Sequence, residues 1–338
     1  MAIRTVGIVG TGVIGASWTA LFLAHGLRVL VANPAPGAEE KLASYLDDVW
    51  PALEIMGLVD GASLSNYKFV GASLSDHYKE LDFVQENAPE RPDLKTKILA
   101  EIDAAVRSDI IIASSSSGIP SSKFISQCRN PERVLIGHPF NPPHLMPLVE
   151  VVPHPHTSSS AVLTAMSFYE SVGRRPVHIK EEVPGFVANR LQAALCNEAY
   201  SMVARGLISA QDLGKSFFSF HQPCTNHLIT DAAVTTSLGP RWAMVGPFMA
   251  NAMGGGGGSE GFKHLLEHLG PASRVWVEDM NAHKFDWSQQ SIDALGSSVG
   301  EELEGKNVKE LEQKRDDDLI KFFKIKGVRR TSFHGIAF

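Results

Sequence analysis

Val6–Pro34 reads VGIVGTGVIGASWTALFLAHGLRVLVANP. An apolar run of strand length, Val6–Val9, leads into Gly10-Thr11-Gly12-Val13-Ile14-Gly15. A helical pattern follows to about Leu27, and a second apolar run, Arg28–Ala32, ends at Asn33. Strand, glycine turn, helix and strand in immediate succession is the setting in which G-x-G-x-x-G points to a dinucleotide. Gly10 permits the tight turn, Gly12 lets backbone approach a pyrophosphate, and Gly15 lets helix and strand pack closely. The helix N-terminus offers unpaired N–H groups and a partial positive charge to phosphates. Gly10, Thr11, Gly12, Val13, Ile14 and Gly15 are therefore candidate cofactor contacts. The competing reading, a glycine turn of some other α/β fold, fits the flanking elements less well.

Asn33 stands where Asp or Glu usually accepts hydrogen bonds from the adenosine ribose. An amide can still bond a 2′-hydroxyl but does not repel a 2′-phosphate. NAD is expected over NADP, because no Arg or Lys follows within a few residues.

Further strands are expected at Tyr67–Gly71, Leu81–Gln85, Asp109–Ala113, Val134–Gly137, Leu148–Val152 and Pro176–Ile179. Helical patterns alternate with them at Ala38–Leu53, Asp93–Val106, Ser121–Cys128 and Ser158–Val172. That alternation predicts an α/β fold, a Rossmann-type doubly wound and mainly parallel sheet. From about Val183 the strand patterns stop, and Pro184-Gly185 marks a junction. Helices are expected at Phe186–Arg205, Arg241–Met249, Gly261–Leu269, Ala272–Ala282 and Val308–Lys324. The expected organisation is a nucleotide-binding domain over 1–183 and an all-helical domain over 184–338 for substrate and dimerisation. The glycine run Gly254–Gly258 reads as a loop, since no strand precedes it.

A net charge of −6 without a basic tract argues against nucleic acid or an anionic membrane as partner. Cys128, Cys196 and Cys224 are too few and too scattered for a disulfide framework or a zinc site. Reduced thiols, no metal and a cytoplasmic location are expected. No apolar run is long enough to span a bilayer, and the first strand leaves no room for a signal peptide.

His138 follows an apolar strand, in His138-Pro139-Phe140-Asn141-Pro142-Pro143. Ser114–Ser117 also closes a strand, and ligands of doubly wound sheets bind at such carboxyl ends. Glu150 lies twelve residues past His138. A carboxylate beside a histidine fixes the ring tautomer and stabilises imidazolium, which suits removal of a hydroxyl proton. Spacing alone leaves this reading level with that of a satisfied core histidine.

GIVGTGVIG, QENAPERPDLK, ASSSSGI, GHPFNPPHLMPLVEVV and PGFVANRL, in this order, resemble the L-3-hydroxyacyl-CoA dehydrogenase family. SLGPRWAMVGPF, the glycine-rich loop and KRDDDLIKFFK resemble the branch that includes lambda-crystallin, L-gulonate 3-dehydrogenase and carnitine dehydrogenase. The resemblance implies His138 as catalytic base, Glu150 as its partner and Ser117 as the serine that bonds the reacting oxygen. It implies Asn189 as a contact to the substrate's polar head, Asn141 as a nicotinamide-side contact, and Glu90 and Lys95 as cofactor contacts. A homodimer and a 3-hydroxyacyl-CoA or related 3-hydroxy acid as substrate are implied as well. The alternatives are a small polar acid of the gulonate or carnitine kind without CoA, and an idle, crystallin-like structural protein. Arg241 reads equally as a binder of a substrate carboxylate and as a partner in an ion pair.

Gly214–Thr230 departs from the family pattern, with Phe217, Phe218 and Phe220 among polar residues and no periodicity. It reads equally as translated intron sequence and as a genuine surface loop.

Asn33→Asp places a charge beside any 2′-phosphate. The ratio of kcat/KM for NAD over NADP should rise about tenfold, ~1.4 kcal/mol. An unchanged ratio removes residue 33 from the ribose site.

Overall fold

The computed structural model describes residues 3–207, 234, 238–254 and 258–326. Gly214–Thr230 and Cys224 lie outside the described residues. Contacts divide the chain into two units, Met1–Arg190 together with residues from Glu312 on, and Leu191–Leu311. The first unit thus takes in residues 184–190 and the described end of the chain, beyond the expected boundary at 183.

The first unit is built on eight strands. They are β1 (Thr5–Val9), β2 (Arg28–Ala32), β3 (Tyr67–Phe69), β4 (Phe83–Glu86), β5 (Ile111–Ser114), β6 (Val134–Pro139), β7 (Leu148–Val152) and β8 (Arg175–His178). Their order is β3-β2-β1-β4-β5-β6-β7-β8, all neighbours parallel except β6 and β7. The order reverses between β1 and β4, so the loops leaving these strands open a crevice at their carboxyl ends.

Both faces of the sheet are buried, which is why its strands read as continuous apolar runs. Val29 and Val31 face one core while Leu30 and Ala32 face the other. On the first face pack α1 (Val13–Ala24), α2 (Ala38–Met56) and α4 (Ser159–Ser171), through Phe22, Leu42, Leu46 and Phe168. Trp18 stacks on Tyr169 at 5.6 Å, and Phe83 lies 4.2 Å from Phe168 between ring centroids. On the second face packs α3 (Pro92–Ala105), through Leu99 and Ile102.

A polar network is buried within the first core. Tyr169 Oη donates to Gln85 Oε1 at 2.6 Å, and Gln85 Nε2 donates to Ser115 Oγ at 2.8 Å and to the Gly137 carbonyl at 3.2 Å. Ser115 Oγ also accepts from Trp18 Nε1 and donates to Asn87 Oδ1 at 2.7 Å. Every polar group of the chain of bonds is matched donor to acceptor, as burial requires.

The helix expected at Ser121–Cys128 is only a 3₁₀ turn, Ser121–Lys123. Glu182 takes the Ser121 hydroxyl and the Ser122 N–H, and the chain turns at Phe124 to bury its ring. The helix expected from Phe186 starts later, as α5 (Ala188–Ala204), because Phe186 adopts a positive φ of 49° with its ring fully buried.

In the second unit, the helix expected at Arg241–Met249 is two, α6 (Gly239–Val245) and α7 (Pro247–Gly254). Gly246, with φ 75°, separates them, and Pro247 begins the second. The two helices expected around Gly270-Pro271 are one, α8 (Gly261–Ala282), which continues through Pro271. The helix α9 (Gln289–Leu303) was not expected, since Gly296, Ser297, Ser298 and Gly300 depress its propensity. The last described helix, α10 (Val308–Ile325), passes from the second unit into the first, where it buries Ile320 and Phe323. No described helix is long and apolar enough to cross a membrane.

Gly137 is the tightest point of the sheet. A Cβ there would fall 1.9 Å from Tyr169 Oη. Gly137→Ala should therefore destabilise the protein by about 1–3 kcal/mol, read as a drop in thermal midpoint. An unchanged midpoint would contradict the packing of Tyr169 under β6.

Candidate active site

The carboxyl ends of β1 and β2 form the first part of the site. Gly10, at φ 88°, donates its N–H to the Ala32 carbonyl at 2.8 Å. A Cβ on Gly15 would lie 1.9 Å from the Gly10 carbonyl oxygen, so α1 can start hard against the loop only with glycine there. Gly12 differs, because no protein atom lies within 4 Å of where its Cβ would stand. It is the N-cap of α1, makes no side-chain cap, and is followed by no acidic residue in the first turn. Unpaired N–H groups beside open space fit a pyrophosphate. Asn33 Nδ2 donates to Thr11 Oγ1 at 2.5 Å and Oδ1 accepts from Ala35 N–H at 3.0 Å. The amide thus ties the glycine loop to β2 and keeps a lone pair on Oδ1 for a ribose hydroxyl.

The ends of β4 and β5 form the second part. Glu86 is fully buried and accepts from Lys95 Nζ at 2.8 and 3.0 Å, Ser114 Oγ at 2.5 Å and Ala88 N–H at 2.5 Å. Lys95, 1 % exposed, sends its remaining donor to the Ala88 carbonyl at 3.0 Å. That geometry directs all three ammonium protons to groups of the protein itself. Glu90 Oε1 accepts from Ser116 Oγ at 2.6 Å, Ser117 N–H at 2.9 Å and Gly118 N–H at 3.2 Å. Burial opposes its charge, but the Ser116 hydroxyl, the Gly118 N–H and Lys95 hold its carboxyl below the usual range. Ser117 is left exposed, with its carbonyl held by Asn189 Nδ2 at 2.5 Å and its hydroxyl 3.5 Å from Glu90.

The third part is the antiparallel pair. His138 lies within β6, not on the loop after it as expected, and the register sets it directly opposite Glu150 in β7. Opposed residues of an antiparallel pair share a face, so the side chains meet. His138 Nδ1 and Glu150 Oε2 are 2.8 Å apart, both groups buried. Glu150 Oε1 accepts from the N–H groups of Val187 and Ala188, each at 3.0 Å, at the start of α5. Burial raises the cost of the Glu150 charge, and the His138 bond with the two backbone N–H groups more than offsets it, holding the carboxyl below its ordinary value. An ionised carboxylate only accepts, so Nδ1 carries the proton and Nε2 is the basic nitrogen. The rings of Phe140 and Phe186 lie 5.2 and 5.7 Å from the imidazole.

Asn141 is exposed in the hairpin loop between β6 and β7, next to a cis Asn141–Pro142 peptide. Arg241 is exposed on α6 of the second unit. Sequence reasoning alone misses Glu86, Ser116 and the Gln85–Ser115–Asn87 network. The polar run Gln85-Glu86-Asn87 closing an apolar strand is the signal that marks them.

Residues 5–182 match the NAD-binding domain of 3-hydroxyacyl-CoA dehydrogenases. A 3-hydroxyacyl-CoA dehydrogenase of Gibberella moniliformis is 50% identical over 96% of this chain and 95% of its own. An L-carnitine dehydrogenase of Pseudomonas aeruginosa is 39% identical over 99% of this chain and 98% of its own. Among solved structures, a 5-formyl-3-hydroxy-2-methylpyridine 4-carboxylic acid 5-dehydrogenase, described as an NAD+ dependent dismutase, aligns with a TM-score of 0.74. It is 29% identical, with 97% of this chain and 100% of that chain covered.

Glu150→Gln tests the charge of the pair. A carboxyl whose folded pKa is depressed stabilises the fold above its unfolded value, near pH 4.3, and this is lost as pH falls through the folded value. The thermal midpoint of the variant should therefore lie below that of the native protein at pH 7, with the gap closing below about pH 4. A gap that persists or widens in acid would contradict an ionised, stabilised Glu150.

Proposed function

The chain belongs to the 3-hydroxyacyl-CoA dehydrogenase family, and we propose that it oxidises the 3-hydroxyl of an L-3-hydroxyacyl-CoA or related 3-hydroxy acid to the 3-keto compound. The class of reaction, NAD-dependent dehydrogenation of a 3-hydroxy compound, is that of the family. The observation that carries the assignment of roles is the buried His138–Glu150 pair at the carboxyl end of the sheet.

NAD, when bound, supplies the hydride acceptor for C3. His138 Nε2 takes the hydroxyl proton, and Glu150 stabilises the imidazolium that results. Ser117 Oγ, held at the tip of the serine loop, bonds the reacting oxygen, and Asn189 keeps that loop in place through the Ser117 carbonyl. Asn141 lies on the nicotinamide side. Gly10 to Gly15 and Asn33 serve the cofactor's other end, and Glu90 acts at the reacting end by shaping the serine loop. Oxidation consumes neutral His138 and reduction consumes protonated His138, so higher pH favours the first and lower pH the second.

A second substrate reading has its own support. L-carnitine dehydrogenases match at 37–40% identity over 94–99% of the chain. A small polar 3-hydroxy acid without CoA is therefore kept beside the thioester, with Arg241 as candidate for its carboxylate. We also infer a homodimer in the cytoplasm. The dimer is supported by the exposed apolar surface of the described helical unit, including Leu191, Phe248, Met253 and Trp276. An idle, crystallin-like role is disfavoured by the complete set of reacting groups.

NAD reduction by the purified protein with 3-hydroxybutyryl-CoA, L-gulonate and L-carnitine separates these readings, and no turnover of any of them would contradict the proposal. With the substrate that reacts, His138→Ala should lower kcat by about 10²–10⁴-fold while NADH affinity stays within about twofold. Equal loss of cofactor affinity would show that His138 serves binding instead.

A further inference from the structure

The hairpin loop 140–147 joins the strand of His138 to the strand of Glu150, and it carries Asn141. It is fastened from outside the reacting face. Ser17 Oγ accepts the backbone N–H of His144 at 2.9 Å and hydrogen-bonds its ring Nδ1 at 2.7 Å. Ser17 is fully buried and His144 is 1 % exposed. The Tyr45 ring of α2 lies edge-on to the His144 ring, 6.4 Å between centroids and at 85°. Arg174 holds the far part of the loop through the carbonyls of Pro143 at 2.9 Å and Met146 at 3.1 Å. Ser17 belongs to α1, two residues after Gly15, in the helix that starts at the glycine loop.

We propose that Ser17 is a positioning residue, which locks loop 140–147 to the cofactor helix and so keeps His138 and Asn141 in register with the bound dinucleotide. Three physical points carry this. The bonds join segments 127 residues apart and involve both the backbone and the side chain of His144, so the loop is fixed in place and in rotation. Burial makes their loss costly, because the N–H and Nδ1 left behind have no water to turn to. α1 carries the glycine loop at its N-terminus with Ser17 close behind, and it is buried from Gly15 to Ala24, so a displacement at Ser17 is felt at the loop. The inference rests on the dehydrogenase reading for its kinetic arm only.

Hydrogen exchange of the peptide covering 140–147, with and without NADH, tests it in the full-length protein. In the native protein NADH should slow exchange in this loop together with α1. In Ser17→Ala, NADH affinity should stay within about threefold, the loop should exchange at least tenfold faster with NADH bound, and kcat should fall about 10–100-fold. Should Ser17→Ala fail to fold, His144→Phe keeps an aromatic ring beside Tyr45 and the backbone N–H bond to Ser17 while removing both ring nitrogens, the Nδ1 bonded to Ser17 among them. It should show a smaller change in the same direction, about threefold. Loop exchange and kcat equal to native in whichever variant folds would overturn the proposal. A native protein inactive on every substrate tried, yet with NADH-dependent protection of the loop that Ser17→Ala abolishes, would count against the substrate reading and leave the clamp standing.

Discussion

The hydrogen bond between His138 and Glu150 depends on one departure from an otherwise parallel sheet, the reversal of β7. In a parallel neighbour the two residues would need a crossover of a dozen or more residues between them. The reversal needs only the hairpin loop 140–147, and the register does the rest by placing both side chains on one face. A slip of one residue would send Glu150 to the opposite face, leaving the imidazole without its partner. A lone buried carboxylate is costly, and Glu150 is satisfied by His138 and by the two N–H groups where α5 begins. The same carboxylate therefore orients the base and fixes the start of α5.

A second buried carboxylate, Glu86, organises the cofactor side by the same logic. Its two oxygens answer Lys95, Ser114 and Ala88, so the loops after β4 and β5 leave the sheet in fixed directions. Glu90 then gathers Ser116, Ser117 and Gly118, which sets the serine loop that Asn189 completes. Buried ion pairs contribute little net stability but are strongly damaging when halved, so their clearest effect here is to specify loop positions. Donors placed before reaction need no reorganisation when charge develops, which is where such rigidity serves catalysis.

The strands and the glycine loop were legible because their signals are local. Each glycine of the loop answers a geometric need within a few residues, and burial on both faces writes β1 and β2 as unbroken apolar runs. His138 and Glu150 were legible as types and spacing, yet the strand was expected to end at Gly137. The helical residues show where local signals mislead. Pro271 sits inside α8, while Gly246 breaks a segment that reads as one helix. Lys95 illustrates a different limit. The family resemblance implies a cofactor contact for Lys95, and only the fold reveals its buried pairing with Glu86. Ser17 and His144 carry no pattern at all, since their meaning arises from a contact across 127 residues.

An ionised Glu150 holds His138 with its proton on Nδ1 and leaves Nε2 as the base. Nitrogen-15 NMR of ring-labelled histidine, assigned by the loss of one signal in His138→Ala, reads this directly. Neutral His138 should be the Nδ1–H tautomer in the native protein, and Glu150→Ala should shift it toward Nε2–H. A native His138 already in the Nε2–H form, or a tautomer indifferent to Glu150, would contradict it.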